Sequence, residues 1–204
     1  MLLILVRHGE TDYNRGGLAL GQGDAPLNET GLRQAAALEF ALASEKIVAI
    51  YASPLRRTMA TAEAIANPHG LSVTADQRLI EMDIGELEGM TGAEMVKQHP
   101  DLMENWGGAK GPTYRMPGSE ERLVDVQARA RAAIEEMLAR YPDETVVAVT
   151  HNFVILSTLA WLIGVELADF RRLRQSVAAI SRVDLRPGHA QVITLNDTCH
   201  LAGV

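Results

Sequence analysis

Between Leu2 and Val6 the chain runs through consecutive aliphatic residues with no polar alternate, the pattern of a strand buried on both faces, as in a parallel sheet. A polar, glycine-rich loop follows from Arg7 to Asn28. Asn28 and Gly31 then open a stretch in which Leu32, Ala35, Ala36, Leu38 and Leu42 share one face at helix spacing. Lys46 to Tyr51 reads as a second buried strand. Ser53 is placed to cap a helix with Pro54 in its first turn and Leu55, Met59, Ala62 and Ile65 on its inner face, ending near Asn67 and Pro68. Leu71 to Thr74 is a short third strand. Glu120 to Arg140 is strongly helical, and its arginines and glutamates form a solvated face. Thr145 to Thr150 is a further strand, followed by a helix over Asn152 to Ile163. Two last strands, Ala178 to Leu185 and His189 to Leu195, form an antiparallel hairpin around Pro187 and Gly188. Only residues 91–119, with five glycines and three prolines, lose the pattern and read as an irregular excursion with one short helix.

Strands alternating with helices predict an α/β sandwich with a mainly parallel sheet; strand order stays open. At 204 residues the chain supports one core, hence one domain. The single cysteine, Cys199, excludes an internal disulfide, and the apolar start lacks the basic segment of a signal peptide, so a reducing, cytoplasmic location is expected. The longest apolar run, Phe153 to Val165, is broken by polar residues and Gly164, too short for the roughly 18 residues of a membrane span. The net charge of −7 and the lack of a Lys/Arg stripe argue against nucleic acid as a partner. The same charge repels anionic metabolites, so any phosphate site must be a local gathering of arginines and backbone N–H groups.

Ligands of open parallel sheets sit beyond the carboxyl ends of the strands. That rule singles out Arg7-His8-Gly9-Glu10, Ser53-Pro54-Leu55-Arg56-Arg57 and His151-Asn152, each following a strand. Two histidines and several arginines thus leave one sheet edge, without metal-type spacing or a cysteine cluster. Arginines fork around phosphate oxygens, and a neutral imidazole is a competent nucleophile toward phosphorus.

The segment LVRHGETDYN resembles the R-H-G-E-T-x-x-N signature of the histidine phosphatase (phosphoglycerate mutase-like) superfamily. GQGDAPLNETG, SPLRRTMATAEAIA, LIEMDIGELEGMT, VTH ending at His151 and the closing NDTCHL are similar to further segments of the same family. The resemblance implies a three-layer α/β/α sandwich of phosphoglycerate mutase-like fold, with the excursion at about 91–119 lying over the active site. It implies that His8 becomes phosphorylated, that Arg7 and Arg57 clamp the phosphoryl oxygens, and that a protonated His151 donates to them. Glu81 would protonate the leaving alcohol and then activate water, and Asn14, Gln22 and Asn152 would lie beside the bound phosphate. It implies no metal and no cofactor. The activity expected is that of a phosphomonoesterase acting on a small phosphorylated metabolite, as in the α-ribazole and sugar-phosphoglycerate phosphatases. A phosphoglycerate mutase is the first alternative, disfavoured because the excursion offers only Lys97, Lys110 and Arg115 to grip a second anion. A non-catalytic phospho-ligand-binding module is the second, disfavoured because nucleophile and acid are both present. Assembly as a homodimer is left open.

Other polar residues have simpler readings. Arg56 is a surface residue beside Arg57; Glu86 and Glu88 belong to a solvated loop; His69 and His189 sit in exposed turns; His99 marks a helix end. His200 is assigned a structural role and Cys199 a buried one. Where many relatives have His-Gly-Gly, this chain has His151-Asn152-Phe153, which removes glycine's freedom and adds an amide and an aromatic ring beside the phosphate. The run PGSEERLVDVQAR is similar to the family's P-G-G-E-S segment only in part.

Overall fold

The computed structural model describes residues Met1–Val204. Its strands are β1 (Leu2–Arg7), β2 (Ile47–Ala52), β3 (Val73–Ala75), β4 (Thr145–Thr150), β5 (Ile180–Arg186) and β6 (His189–Asp197). They form one sheet in the order β3-β2-β4-β1-β5-β6. The first four are mutually parallel, whereas β5 runs antiparallel to β1 and β6 antiparallel to β5. The helices are α1 (Asp12–Arg15), α2 (Glu29–Leu42), α3 (Arg56–Ala66), α4 (Gly92–Gln98), α5 (Leu102–Gly107), α6 (Leu123–Arg140) and α7 (Asn152–Ile163).

The unbroken apolar run of β1 is explained by its two covered faces. Leu3 and Leu5 pack with Ala133 and Ile134 of α6 and with Ile155 and Leu159 of α7. Ile4 and Val6 point the other way, onto Leu38 and Leu42 of α2 and Ala62 and Ile65 of α3. Period-two side-chain alternation thus divides one strand between two cores, giving a three-layer α/β/α sandwich. A third core joins Met82, Ile84, Leu102, Trp106 and Met116 to Val154 and Phe170, and ties the segment around 91–119 to α6 and α7.

Several expected boundaries shift. The excursion holds two short helices, not one, and α4 is closed by a capping box in which Thr91 and Glu94 satisfy each other's backbone N–H. Helix α3 starts at Arg56 with Leu55 at its cap position and no side-chain cap, because Ser53 is turned to another task. Helix α6 starts at Leu123, β3 starts two residues later than its apolar run suggested and ends one later, and β5 starts at Ile180 because Ala178 takes a left-handed φ of 53° that a strand excludes. Cys199 is exposed, not buried, and His69 is half-buried instead of exposed. No helix is long and apolar enough to cross a membrane.

Candidate active site

Parallel pairing brings the three predicted loops to one sheet edge. His8 N–H donates to the Thr150 carbonyl at 3.1 Å and Ser53 N–H to that of Val149 at 3.1 Å, so residues leaving β1, β2 and β4 stand side by side. Gly9 makes this possible on its outer side: a Cβ there would lie 2.7 Å from the Gly31 carbonyl oxygen, and one on Gly31 would lie 2.1 Å from that of Glu10. Only glycines let the start of α2 press against this loop.

His8 is 3% exposed, and its Nδ1 lies 2.7 Å from the carbonyl of Gly9. A carbonyl can only accept, so the proton resides on Nδ1 and Nε2 keeps its lone pair. Burial, then Arg7 and Arg57, push the pKa of His8 well down, against a smaller opposing effect of the Gly9 hydrogen bond, so the ring is neutral.

His151 is fully buried, with its ring centre 5.2 Å from that of His8. Burial again dominates its pKa, followed by His8, Arg57 and Arg7, and the value falls well below the ordinary one. The expected protonated His151 is therefore corrected to a neutral ring carrying one N–H. Ser53 decides where that proton sits. The Ser53 hydroxyl lies 2.8 Å from Nε2 of His151 and otherwise only receives the Leu55 N–H, at 3.4 Å, so its own proton has no acceptor but Nε2. His151 then carries its proton on Nδ1, a buried atom with no hydrogen-bond partner.

The arginines repeat that arrangement. Arg57, 0% exposed, donates from its terminal nitrogens to the carbonyls of Gly23 at 2.6 Å and Gly21 at 2.7 Å, and its Nε is buried without a partner. Arg7 donates to the Gln175 carbonyl at 2.7 Å and reaches Asn152 Oδ1 at 3.5 Å, and its Nε is also unpartnered. Buried donors are seldom left unpaired, yet three of them belong to three residues of one site.

Glu81 is 3% exposed and accepts from the backbone N–H groups of Met82 at 2.9 Å and Phe153 at 3.3 Å. Burial raises its pKa, and those hydrogen bonds, Arg7 and Arg57 oppose the rise without cancelling it. Arg7, His8, Asn14, Glu81 and Asn152 line a single cavity of about 200 Å³. Gln22 is exposed at its side and donates to the Glu81 carbonyl at 3.0 Å. Asn14 uses its Oδ1 to accept from the backbone N–H and hydroxyl of Thr11, both at 3.1 Å. No group of three His, Cys, Asp or Glu side chains is placed to hold a metal ion.

Sequence reasoning missed the supporting residues. Ser53 was assigned to a helix cap. Glu88, read as solvated, accepts from the N–H groups of Gly21 at 3.2 Å and Gly23 at 3.0 Å, fixing the loop whose carbonyls hold Arg57; Glu86 is exposed as expected. Arg129 donates to the carbonyls of Arg78 at 2.8 Å, Ile80 and Glu81 at 3.1 Å, and pairs with Glu121 at 2.8 Å. In the closing NDTCHL run, Asn196 accepts from Ser176 N–H at 2.6 Å beside the Gln175 carbonyl that holds Arg7. His200 Nε2 bonds the carbonyl of Ala178, whose N–H donates to that of His8. Arg56 and His99 lie where expected, at the surface and a helix end, whereas His189 is exposed but opens β6 instead of belonging to the turn.

Comparison with known proteins identifies the family. Residues 3–198 match the family described as the histidine phosphatase superfamily (branch 1). The chain is 34% identical over 199 residues to phosphoserine phosphatase 1 of Hydrogenobacter thermophilus, covering 98% of this chain and 93% of that one. It is 34% identical to a probable phosphoglycerate mutase of Proteus mirabilis, over 98% and 94% of the two chains. A mycobacterial glucosyl-3-phosphoglycerate phosphatase solved with VO3 superposes with a TM-score of 0.86 at 31% identity, covering 97% of this chain and 99% of its own. With a family match over nearly its whole length and relatives above 30% identity along it, the chain belongs to the histidine phosphatase superfamily.

Proposed function

We propose that this chain is a phosphomonoesterase that hydrolyses a small phosphorylated metabolite through a phosphohistidine on His8. The observation that carries the reading is the set of buried, unpartnered donors, Arg7 Nε, Arg57 Nε and His151 Nδ1, in the residues that surround the neutral His8. A phosphoryl group supplies the acceptors these donors lack, and donors fixed in place beforehand stabilise charge as it grows on the transferring oxygens. The N-terminus of α7, from which Phe153 N–H donates to Glu81, adds its partial positive charge.

In the first step the His8 Nε2 lone pair forms a bond to phosphorus while the bond from phosphorus to the ester oxygen breaks. Glu81, whose pKa burial raises, gives its proton to the departing alkoxide. In the second step Glu81 takes a proton from water, the water oxygen bonds to phosphorus, and the N–P electron pair returns to Nε2. Phosphatase is favoured over mutase because Lys97, Lys110 and Arg115 are exposed and none lines the cavity, with Arg115 paired to Glu120. The same reading takes residues 1–204 as one domain. Its excursion over the active site is supported by Trp106, packed edge-on at 5.8 Å against Phe153 of the cavity wall. Two chains would pair as a homodimer through β6, an outer strand with Ile193 and Leu195 exposed. An exposed free thiol at Cys199 suits a reducing cytoplasm.

The test is hydrolysis of p-nitrophenyl phosphate and of an alkyl phosphate in excess EDTA, by wild type and Glu81→Gln. Both substrates should turn over in the wild type. The variant should lose roughly 10²- to 10⁴-fold on the alkyl ester and far less on p-nitrophenyl phosphate, whose anion leaves unaided. Activity abolished by EDTA and restored by magnesium or zinc, or equal losses on both substrates, would contradict the proposal.

A further inference from the structure

The part of the cavity that faces the leaving alcohol has a composition of its own. Once Arg7, His8 and Glu81 are assigned to the phosphoryl group and its protonation, the remaining lining is Leu18, Ala19, Leu20, Ile84 and Phe153, with the two amides Asn14 and Asn152. No lysine lines the cavity, and its one guanidinium, Arg7, is anchored at 2.7 Å to the Gln175 carbonyl beside the site of transfer. The walls are braced by backbone pairing. Leu18 bridges to Thr91, Ala19 N–H donates to the Met90 carbonyl at 2.9 Å, and Gly89 N–H donates to that of Ala19 at 2.9 Å. Phe153 is packed against both Trp106 and Phe170.

From this we infer that the site takes phosphate esters of uncharged alcohols and discriminates against alcohols bearing a second anionic group. The inference rests on the phosphatase reading and narrows its substrate class. A carboxylate on the alcohol would be stripped of water against five apolar side chains and would find only neutral amides, in a chain of net charge −7. A hydroxyl, by contrast, is served by the free amide N–H groups of Asn14, whose Oδ1 is already committed to Thr11.

Matched pairs test this with leaving-group chemistry held nearly constant: glycerol 3-phosphate against 3-phosphoglycerate, and benzyl phosphate against 4-carboxybenzyl phosphate. The neutral member of each pair should have the higher kcat/KM, by on the order of 10²-fold, the scale on which an apolar pocket rejects an ill-matched polar group. Leu20→Arg, at a half-buried wall position, should narrow the glycerol 3-phosphate to 3-phosphoglycerate ratio by improving the acid. Equal values, or a preference for the acids in wild type, would overturn the inference while leaving the phosphatase reading intact. Failure to hydrolyse any of the four would instead overturn the phosphatase reading, and the inference with it.

Discussion

His151 illustrates how one hydroxyl can determine what a ring offers a substrate. With Ser53 O–H on Nε2, the imidazole presents Nδ1–H; with the proton on Nε2 instead, it would present a lone pair and repel an oxyanion. Neutrality makes the choice consequential, because a doubly protonated ring would donate from both sides, and burial disfavours that state. Ser53→Ala should therefore lower kcat/KM about 10- to 100-fold, the usual cost of removing the partner that orients a functional imidazole. Its two-bond ¹H–¹⁵N spectrum should show His151 changing from an Nδ1–H pattern to a mixture, and Ser53→Thr should restore much of both. An unchanged tautomer in the alanine variant would mean that Ser53 only fills space. The motif residues His8, Arg7, Arg57 and Glu81 were legible because each stands in a local run at fixed spacing. The Ser53–His151 contact was not, since it joins residues 98 apart that only the β2–β4 pairing brings together.

At the scale of elements, the loop from Arg78 to Asp83 carries Glu81 yet has no regular structure beyond one short turn. Its shape is imposed by α6. Arg129 gathers three of its carbonyls, and Glu121, paired with Arg129, accepts from Asp83 N–H at 2.8 Å. Both side chains of that pair are less than a fifth exposed. Arg129→Leu should thus destabilise the fold by roughly 3 kcal/mol, the lower end for breaking a buried, hydrogen-bonded ion pair. It should also weaken turnover of alkyl phosphates more than of p-nitrophenyl phosphate, because the misplaced group is the acid. Stability lost without that selectivity would confine Arg129 to the core. The long elements were readable from period alone, as β1, α2, α6 and α7 show. The helices α4 and α5, seven and six residues long, were not, since helices so short depend on packing such as that of Leu102 and Trp106. For α4 the Thr91-x-x-Glu94 capping box was the available signal.

For the whole molecule, burying an active site has a cost that depends on pH. His8 and His151 have folded pKa values well below the ordinary 6.5, so below that pH the unfolded chain binds protons that the folded one refuses. Stability they contribute above about pH 6.5 is lost as pH falls toward the folded values, by up to about 1.4 kcal/mol per pH unit for each ring. Glu81 acts oppositely: its raised pKa gives stability present below its ordinary 4.5 and lost as pH rises through the folded value. Between pH 7 and 5 the histidines dominate, and Tm should fall on acidification, less steeply in His8→Gln. A flat or rising Tm over that range, or equal slopes in the two proteins, would contradict the buried neutral pair. Catalysis by the assembled site comes down to whether phosphorus becomes bonded to His8. Rapid acid-free quenching of enzyme mixed with ³²P-labelled phosphate ester should trap a phosphoenzyme that is stable in alkali, labile in acid, mapped to His8 and absent from His8→Ala. An acid-stable adduct, or turnover that persists undiminished in His8→Ala, would contradict a phosphohistidine route.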